Sequence, residues 1–336
     1  MDPSSQIVHD FPPFLRVYRD GRVERFRAVD FVPPGLDPGT GVTSKDVVLK
    51  PESGVSIRLY HPPLCEEEVK EGVENEEKKG LFPIIFYIHG GAFCIESAFS
   101  TYYHSYLNSL VAESRAVAVS VEYRLAPEHP VPTAYLDCWA ALQWVVRQAE
   151  GGAGAEPWLK EHGDFGRLFL AGDSAGANVA HHLAMAAGGA PAFVPISAED
   201  LPIKVSGIVL VHPFFFGRNP GNDRVWEMVC PTTPGIDDPL VNLVATGGPE
   251  ISRLECRRVL VLVAGNDFLR DRGCWYEEVL TGSGWSGSVE IVEHQGENHV
   301  FHLIDRKCEN AEDLMRHDVS RDQQTFVDFL HLEMMC

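Results

Sequence analysis

The chain has 336 residues, of which 45% are hydrophobic and 23% charged, a composition typical of a globular protein with a sizeable core. Its formal net charge of -20 argues against nucleic acid and against an anionic membrane surface as partners. No apolar run is long enough for a membrane span, the start lacks a signal-peptide pattern, and the eight cysteines lack metal-type spacing, so we expect a cytoplasmic protein.

In chain order, the sequence predicts an irregular start over residues 1–45, then a hairpin of 46–49 and 55–60, then a solvated glutamate-rich loop at 65–80. The later predicted strands cover 82–88, 116–121, 168–171, 205–211, 259–264 and 289–293. The predicted helices cover about 102–113, 134–149, 175–187, 269–281 and 310–332. Unbroken apolar strands that alternate with helices indicate an α/β fold, with a mostly parallel central sheet flanked by helices.

The regular alternation of strands and helices lapses between residues 212 and 256, where proline, glycine and asparagine interrupt a segment that carries tryptophan, methionine and phenylalanine. An insertion of this kind after a strand is more often a cap over a site than a separate domain. We therefore predict a single domain over residues 1–336, with residues 1–45 and about 212–256 contributing to a cap.

The pentapeptide Gly172-Asp173-Ser174-Ala175-Gly176 is the strongest indication of chemistry in the chain. An apolar strand precedes it and a helix-forming segment follows it, which is the strand, turn and helix setting of a nucleophile elbow. The turn is so tight that the serine has a strained backbone, and glycines on both sides leave room for it. The sequence therefore predicts that Ser174 is a catalytic nucleophile.

A serine nucleophile needs a base that takes its proton and an acid that orients the base. In chains with this elbow, the acid and then the histidine follow the serine, at the carboxyl ends of later strands. Asp267 and His299 each follow a predicted strand, so we predict that they are the acid and the base. Alternatives for these two roles lie in the same stretches of chain, namely Asp271, His294 and His302.

Backbone N–H groups must also stabilise the negative charge that develops on the carbonyl oxygen. The strand predicted at 82–88 leads into His89-Gly90-Gly91-Ala92-Phe93, where missing side chains let the backbone approach a substrate closely. The predicted donors come from this loop and from the residue after the nucleophile, and they are Gly90, Gly91, Ala92 and Ala175. Acyl transfer on such a site requires no metal and no organic cofactor.

With these motifs the chain resembles the plant carboxylesterases of the hormone-sensitive lipase branch of α/β hydrolases. The motifs that carry the resemblance are residues 89–93, the segment Tyr123-Arg124-Leu125-Ala126-Pro127-Glu128-His129-Pro130, the pentapeptide at 172–176, Asp267 and His299. The resemblance implies the α/β-hydrolase fold and carboxylesterase activity through a Ser-His-Asp triad and an acyl-enzyme. We interpret the segment 123–130 as structural, a turn tied by Arg124 and Glu128. Ala92 stands where the commoner oxyanion motif has a third glycine.

The same resemblance leaves two other functions open. Some relatives, such as the 2-hydroxyisoflavanone dehydratases and alkaloid cyclases, eliminate water or cyclise specialised metabolites, and residues 91–99 look closer to theirs than to many plain esterases. Gibberellin receptors use the fold for binding and look impaired at the triad histidine, which this chain keeps as His299. We predict hydrolysis of a small or aromatic ester, with elimination or cyclisation as the alternative and receptor-like binding less favoured.

Apolar side chains of the cap and of the strand ends are expected to line the substrate pocket, which favours an apolar or aromatic acyl or alcohol group. The predicted pocket residues are Phe93, Phe214, Phe215, Trp226, Phe268 and Val300. The expected partner is therefore a small-molecule ester or a specialised metabolite.

Overall fold

The computed structural model describes residues 6–26, 30–64, 81–152, 154–193, 197, 199–219, 223–315 and 325–331. Within these ranges, the strands are β1 (Ile7–Phe11), β2 (Leu15–Tyr18), β3 (Val23–Arg25), β4 (Thr43–Lys50), β5 (Val55–His61), β6 (Phe82–Ile88), β7 (Val117–Glu122), β8 (Gly163–Asp173), β9 (Gly207–Val211), β10 (Arg258–Ala264) and β11 (Ser288–His294). The α-helices of the same ranges are α1 (Thr101–Ser114), α2 (Thr133–Arg147), α3 (Pro157–His162), α4 (Ala175–Ala187), α5 (Arg224–Val229), α6 (Arg270–Gly282), α7 (Phe301–Ile304), α8 (Glu309–Met315) and α9 (Phe326–His331). Short 3₁₀ helices cover Gln148–Glu150, Gly235–Asp237 and Ile251–Arg253. The acidic loop predicted at 65–80 lies outside the described residues.

Among the described strands, eight form one sheet in the order β11-β10-β9-β8-β6-β7-β5-β4. The strands from β11 to β7 are parallel, whereas β5 and β4 each pair antiparallel. The predicted α/β fold with a mostly parallel sheet is confirmed. The hairpin predicted at 46–49 and 55–60 is confirmed too, as the pair of β4 and β5.

Strand β6 illustrates how the sheet is buried on both faces. Ile84, Phe86 and Ile88 belong to one core cluster, and Ile85 and Tyr87 belong to the other, and all five side chains are fully buried. This double burial explains why the strand sequences are continuous apolar runs. Because the strands are parallel, the carboxyl ends of β6, β8, β10 and β11 meet at one edge, which is where binding and catalytic residues of such sheets lie.

The prediction of an irregular start is wrong for residues 7–25, whereas residues 30–42 contain no helix and no extended strand. Strands β1, β2 and β3 form an antiparallel sheet of their own, in that order. In β2, Leu15 and Val17 are buried while Arg16 and Tyr18 are partly exposed, which is the alternation of a half-buried strand. The alternation lasts for only four residues, which is too short to predict a strand within the proline- and glycine-rich sequence around it.

Arg25, at the end of β3, ties this small sheet to the rest of the protein. Its guanidinium donates to both carboxylate oxygens of Glu128, each at 2.8 Å, and its Nε donates to the Cys94 carbonyl at 2.8 Å. Glu128 therefore ties the segment 123–130 to β3, and it does not pair with Arg124. Arg124 instead forms a two-pronged ion pair with Asp137 of α2, at 2.8 and 2.7 Å, because that carboxylate lies buried beneath it.

Most helices follow their predictions, with shifted ends. The helices predicted at about 102–113, 134–149, 175–187 and 269–281 are confirmed as α1, α2, α4 and α6. Of the helix predicted over 310–332, the structure describes α8 and α9, and residues 316–324 lie outside the described ranges. In the part of the chain that is described, no helix has both the length and the apolarity needed to cross a bilayer. Cytoplasmic localisation stays a prediction.

Two histidines of α4 are buried in the core. His181 Nδ1 lies 3.0 Å from the hydroxyl of Tyr276, and His182 Nε2 donates to the Leu240 carbonyl at 2.9 Å. Burial lowers the pKa of His182 to about 4, because desolvation penalises the charged imidazolium. His182 is therefore neutral in the folded protein near pH 7.

We expect that His182→Gln reduces the loss of stability in acid. The pKa of His182 is lowered from 6.5 on folding, so between pH 6.5 and about 4 the unfolded chain binds a proton that the folded chain does not. Protonation of the unfolded chain therefore lowers the free energy of unfolding. This loss is absent above pH 6.5 and grows as the pH falls, to roughly 2 kcal/mol at pH 5. Glutamine keeps a donor for the Leu240 carbonyl and does not titrate. The measurement is the free energy of unfolding at pH 7 and pH 5, and an equal acid loss in both proteins would contradict the expectation.

Candidate active site

Ser174 lies in a sharp turn between β8 and α4. Its backbone has φ 53° and ψ -116°, a strained conformation for a non-glycine residue. A Cβ atom added to Gly176 would lie 2.0 Å from the Ile88 carbonyl oxygen, and one added to Gly172 would lie 2.6 Å from the backbone of Gly176. Only glycine fits at these two positions, and the turn they permit places the serine hydroxyl at the carboxyl edge of the sheet.

A row of hydrogen bonds joins Ser174, His299 and Asp267. His299 Nε2 lies 3.0 Å from Ser174 Oγ, and His299 Nδ1 lies 2.8 Å from Asp267 Oδ2. The second oxygen of Asp267 accepts the Leu269 N–H at 2.9 Å, so both oxygens of this buried carboxylate are bonded. The carboxylate holds the proton of His299 on Nδ1, which leaves the lone pair of Nε2 facing the serine hydroxyl.

The alternative acid and bases lie elsewhere. Asp271 is in α6, with a side chain that is 90% exposed and paired with Arg270. His294 is the last residue of β11, and burial lowers its pKa. His302 is buried in α7 against Tyr106, and burial lowers its pKa to about 3. The structure therefore brings Asp267 and His299 to Ser174, as the order of motifs predicts. Of the alternatives, Asp271 lies in solvent, and His294 and His302 are packed in the protein.

The loop after β6 curls over Ser174 through consecutive residues with positive φ. Gly91 has φ 96°, Ala92 has φ 51° and Phe93 has φ 61°. Gly91 and Ala92 line the same cavity as Ser174, and their N–H groups donate no hydrogen bond to any other residue that the structure describes. Ala175 begins α4, where the N–H groups of the first turn lack partners inside the helix. These three N–H groups are available to an oxyanion.

The prediction of Gly90 as a donor needs correction. Its N–H donates to the hydroxyl of Tyr103 at 2.8 Å and to Asp173 Oδ1 at 3.2 Å, so it is already satisfied inside the protein. A Cβ atom at Gly90 would lie 2.3 Å from Asp173 Oδ2. This position therefore requires glycine, because the loop packs directly on the Asp173 carboxylate. The N–H of Gly90 anchors the loop and does not face the cavity.

Asp173 is a contributor to the site that the sequence analysis did not single out. Besides Gly90, it accepts hydrogen bonds from the hydroxyls of Tyr87 at 3.0 Å and Tyr103 at 2.8 Å. Burial raises the pKa of Asp173 to about 6, although both tyrosine bonds act in the opposite direction. The signal in the sequence is its place beside the nucleophile, where an acidic side chain has to be accommodated close to the oxyanion loop.

A cavity of about 250 Å³ opens at Ser174 and His299. Three predicted pocket residues, Phe214, Phe268 and Val300, line it. Apolar side chains that the sequence analysis did not assign also line it: Phe11, Phe14, Leu15, Ile95, Val225, Leu303 and Ile304. Both segments predicted to form a cap contribute to this lining, and the cap itself stays a prediction. The wall is mostly apolar, so the cavity suits an apolar group.

The other three predicted pocket residues do not line the cavity. Phe93 is 1% exposed and its ring packs on Tyr135 and Trp226. Trp226 is buried as well, and its indole N–H donates to Asp238 Oδ2 at 3.0 Å. Phe215 is fully buried against Tyr276 of α6. These aromatic rings bury more apolar area in the core than a cavity wall would allow, so they support the wall from behind.

One group of side chains in the described ranges has the spacing of metal ligands. His212, Asp267 and His299 offer ligand atoms that all lie within 4.8 Å of one another. Asp267 and His299 are bonded to each other, and His212 Nδ1 accepts the Val300 N–H at 2.9 Å. A metal ion there would have to replace bonds that hold the histidine toward Ser174, so the donor set fits acid and base chemistry better than metal binding.

Comparison with known proteins covers the three residues of the hydrogen-bonded row, Ser174, Asp267 and His299. Residues 85–303 match a family model described as the alpha/beta hydrolase fold. The chain is 43% identical over 331 residues to 2-hydroxyisoflavanone dehydratase of Glycyrrhiza echinata, covering 93% of this chain and 95% of the relative. It is 43% identical over 327 residues to probable carboxylesterase 13 of Arabidopsis thaliana, covering 93% and 96%. Among solved structures, the esterase LipW from Mycobacterium marinum is similar with a TM-score of 0.61 and 25% identity, covering 82% of this chain and 79% of that one.

Proposed function

We propose, since this chain belongs to the plant carboxylesterase family of α/β hydrolases, that it hydrolyses carboxylic esters through an acyl-enzyme on Ser174. The observation that carries the proposal is the hydrogen-bonded row from Asp267 through His299 to Ser174, with distances of 2.8 and 3.0 Å. A nucleophile, a base within reach of its proton and a group that orients the base are the parts that acyl transfer needs.

In the first half of the reaction, Ser174 Oγ attacks the ester carbonyl carbon while its proton passes to His299 Nε2. The imidazolium that forms is stabilised by the buried carboxylate of Asp267, which accepts from Nδ1 at 2.8 Å. The tetrahedral intermediate then collapses, the bond to the alcohol oxygen breaks, and His299 gives its proton to the departing alcohol. Ser174 is left as an ester of the acid half.

In the second half, water attacks the acyl carbon and its proton passes to His299. The bond between Ser174 Oγ and the acyl carbon breaks, Ser174 recovers its proton, and the carboxylic acid leaves. In both halves the carbonyl oxygen carries negative charge, and the N–H groups of Gly91, Ala92 and Ala175 are placed to donate to it. One such donor is typically worth about 10²–10³ in rate.

The cavity at Ser174 favours an apolar substrate group. Aromatic and aliphatic side chains from the small amino-terminal sheet and from α5 enclose about 250 Å³ there. In the part of the chain that the structure describes, no lysine or arginine lines this cavity, so nothing in it compensates the charge of an anionic acyl group. A small neutral ester with an apolar or aromatic acyl group fits best.

Elimination of water is a second candidate, and the identity of 43% to a dehydratase is the observation that favours it. In such a reaction His299 would take a proton from carbon and pass it to a departing hydroxyl group, which leaves as water, while the N–H groups of the oxyanion loop would polarise a carbonyl. Ser174 would have no bond to form in that case. The presence of a strained serine hydroxyl within 3.0 Å of the base favours hydrolysis.

The experiment measures the hydrolysis of p-nitrophenyl acetate and butyrate, together with inactivation by diethyl p-nitrophenyl phosphate. We expect turnover of both esters, and loss of activity as one phosphoryl group adds to the peptide that contains Ser174, seen by mass spectrometry. Release of p-nitrophenol at the background rate with no labelled serine would contradict ester hydrolysis. The next experiment would then assay the elimination of water from a hydroxylated substrate.

A further inference from the structure

A second cavity, of about 480 Å³, adjoins the one at Ser174. Phe268 and Asp223 line both cavities, so the two share a wall. The second cavity lies between the segment that follows β9 and the helix α6. Its chemistry differs from that of the first, because polar side chains dominate it: Arg218, Asn219, Asp271, Arg272 and Glu278, together with Trp275.

The shared wall stands where the alcohol half of an ester must lie. During acylation His299 Nε2 protonates the departing alcohol oxygen, which therefore lies within hydrogen-bond reach of that atom. The ring of Phe268 lies 5.1 Å from the ring of His299, centroid to centroid, and 72% of Phe268 is exposed. Phe268 lines both cavities, so it connects the histidine that would protonate the alcohol to the second cavity.

The second cavity carries charges of both signs. The guanidinium of Arg218 pairs with Glu278 and lies 4.4 Å from the centroid of the Trp275 ring. Arg272 is tied to Asp223 at 3.5 Å. Two guanidiniums and three carboxylates line it, so the wall offers both hydrogen-bond donors and hydrogen-bond acceptors. Groups with many hydroxyls, which donate and accept equally, satisfy such a wall.

We propose that this second cavity is the subsite for the alcohol half of the ester and takes an uncharged polyhydroxylated alcohol, such as a sugar or another polyol. The proposal rests on the ester hydrolysis proposed above. The substrate is then an ester with an apolar acid half and a hydroxylated alcohol half. Arg218, in the segment after β9, and Asp271, in α6, both line it with side chains that are 61% and 90% exposed.

The test compares three butyrates that share one acyl group and differ in the alcohol: p-nitrophenyl butyrate, n-hexyl butyrate and 6-O-butyryl-D-glucose. Release of butyric acid is followed by titration at constant pH, for the wild type, Arg218→Ala and Asp271→Ala. Arg147→Ala is the matched control, because this exposed arginine of α2 lines neither cavity. Thermal unfolding of each variant separates a change in the cavity from a loss of fold.

We expect the wild type to favour the glucose ester over the hexyl ester in kcat/KM. Each of the two substitutions should lower that ratio by about 10-fold, mainly through the KM of the glucose ester, since a hydrogen bond to a charged group is lost from binding. Arg147→Ala should leave it unchanged. Preference for the hexyl ester, or a ratio of the two kcat/KM values that neither substitution alters, would overturn the polyol subsite. Turnover of p-nitrophenyl butyrate would still support ester hydrolysis in that case. A wild type that hydrolyses none of the three esters would overturn both proposals.

Discussion

Replacing Ser174 with alanine is expected to lower kcat for p-nitrophenyl butyrate by about 10⁶-fold, to the level left by binding and oxyanion donors alone. The hydroxyl is the atom that bonds to the acyl carbon, and no neighbouring side chain can take its place. Alanine removes one oxygen and leaves the hydrogen bond from the Ser174 N–H to the Val211 carbonyl, at 2.8 Å, in place. The variant should therefore fold as the wild type does, with an unchanged melting temperature.

Ser206→Ala is the matched control for this substitution, because the Ser206 hydroxyl bonds to the Gly166 carbonyl near the amino end of β8, whereas the elbow follows the carboxyl end of that strand. It should keep the activity of the wild type. If the Ser174→Ala variant retains more than about one per cent of the wild-type kcat, the covalent mechanism is wrong. In that case the activity would have to arise from water that His299 activates directly.

Asp267→Asn is expected to lower kcat by about 10⁴-fold near pH 7. The carboxylate accepts from His299 Nδ1, and it thereby keeps Nε2 unprotonated toward Ser174. An asparagine can still accept the Leu269 N–H through its amide oxygen, which leaves its NH₂ group facing Nδ1. His299 then carries its proton on Nε2, the wrong tautomer for a base, and no anion stabilises the imidazolium.

The measurement is kcat from pH 6 to pH 10 for the wild type, Asp267→Asn and Asp20→Asn. Asp20 is a suitable control because its Oδ1 accepts the backbone N–H of Arg22 in an exposed turn, a bond that asparagine can also make. Part of the lost activity should return at high pH, where hydroxide replaces the missing base. A loss below about 10-fold would mean that Asp267 is not the group that orients His299.

The fold and the row of three site residues were accessible from the sequence for one physical reason. Strands buried on both faces are continuous apolar runs, which are easy to locate, and parallel strands end at the same edge of the sheet. Residues that follow such runs, such as Asp267 and His299, are therefore neighbours in space although 32 positions separate them. The strand ends and the order of the motifs were enough to select them.

The contacts that the sequence did not reveal are those that depend on side-chain packing between distant elements. Nothing in the spacing of Phe93, Phe215 and Trp226 distinguishes a ring behind a cavity wall from a ring within it. The satisfied N–H of Gly90 depends on a tyrosine of α1, and the partner of Glu128 is an arginine 103 positions earlier. Such pairings follow from the docking of whole elements, which local patterns do not encode.

The small number of hydrogen bonds made by His299 has an evolutionary consequence. Its side chain is 23% exposed, and among the described residues it is hydrogen-bonded only to Asp267 and Ser174. A single codon change there would end turnover, while Asp267 would keep its bond to the Leu269 N–H and the apolar cavity would keep its shape. After gene duplication, a copy that lost His299 would therefore keep the apolar cavity and lose the base that consumes the ester.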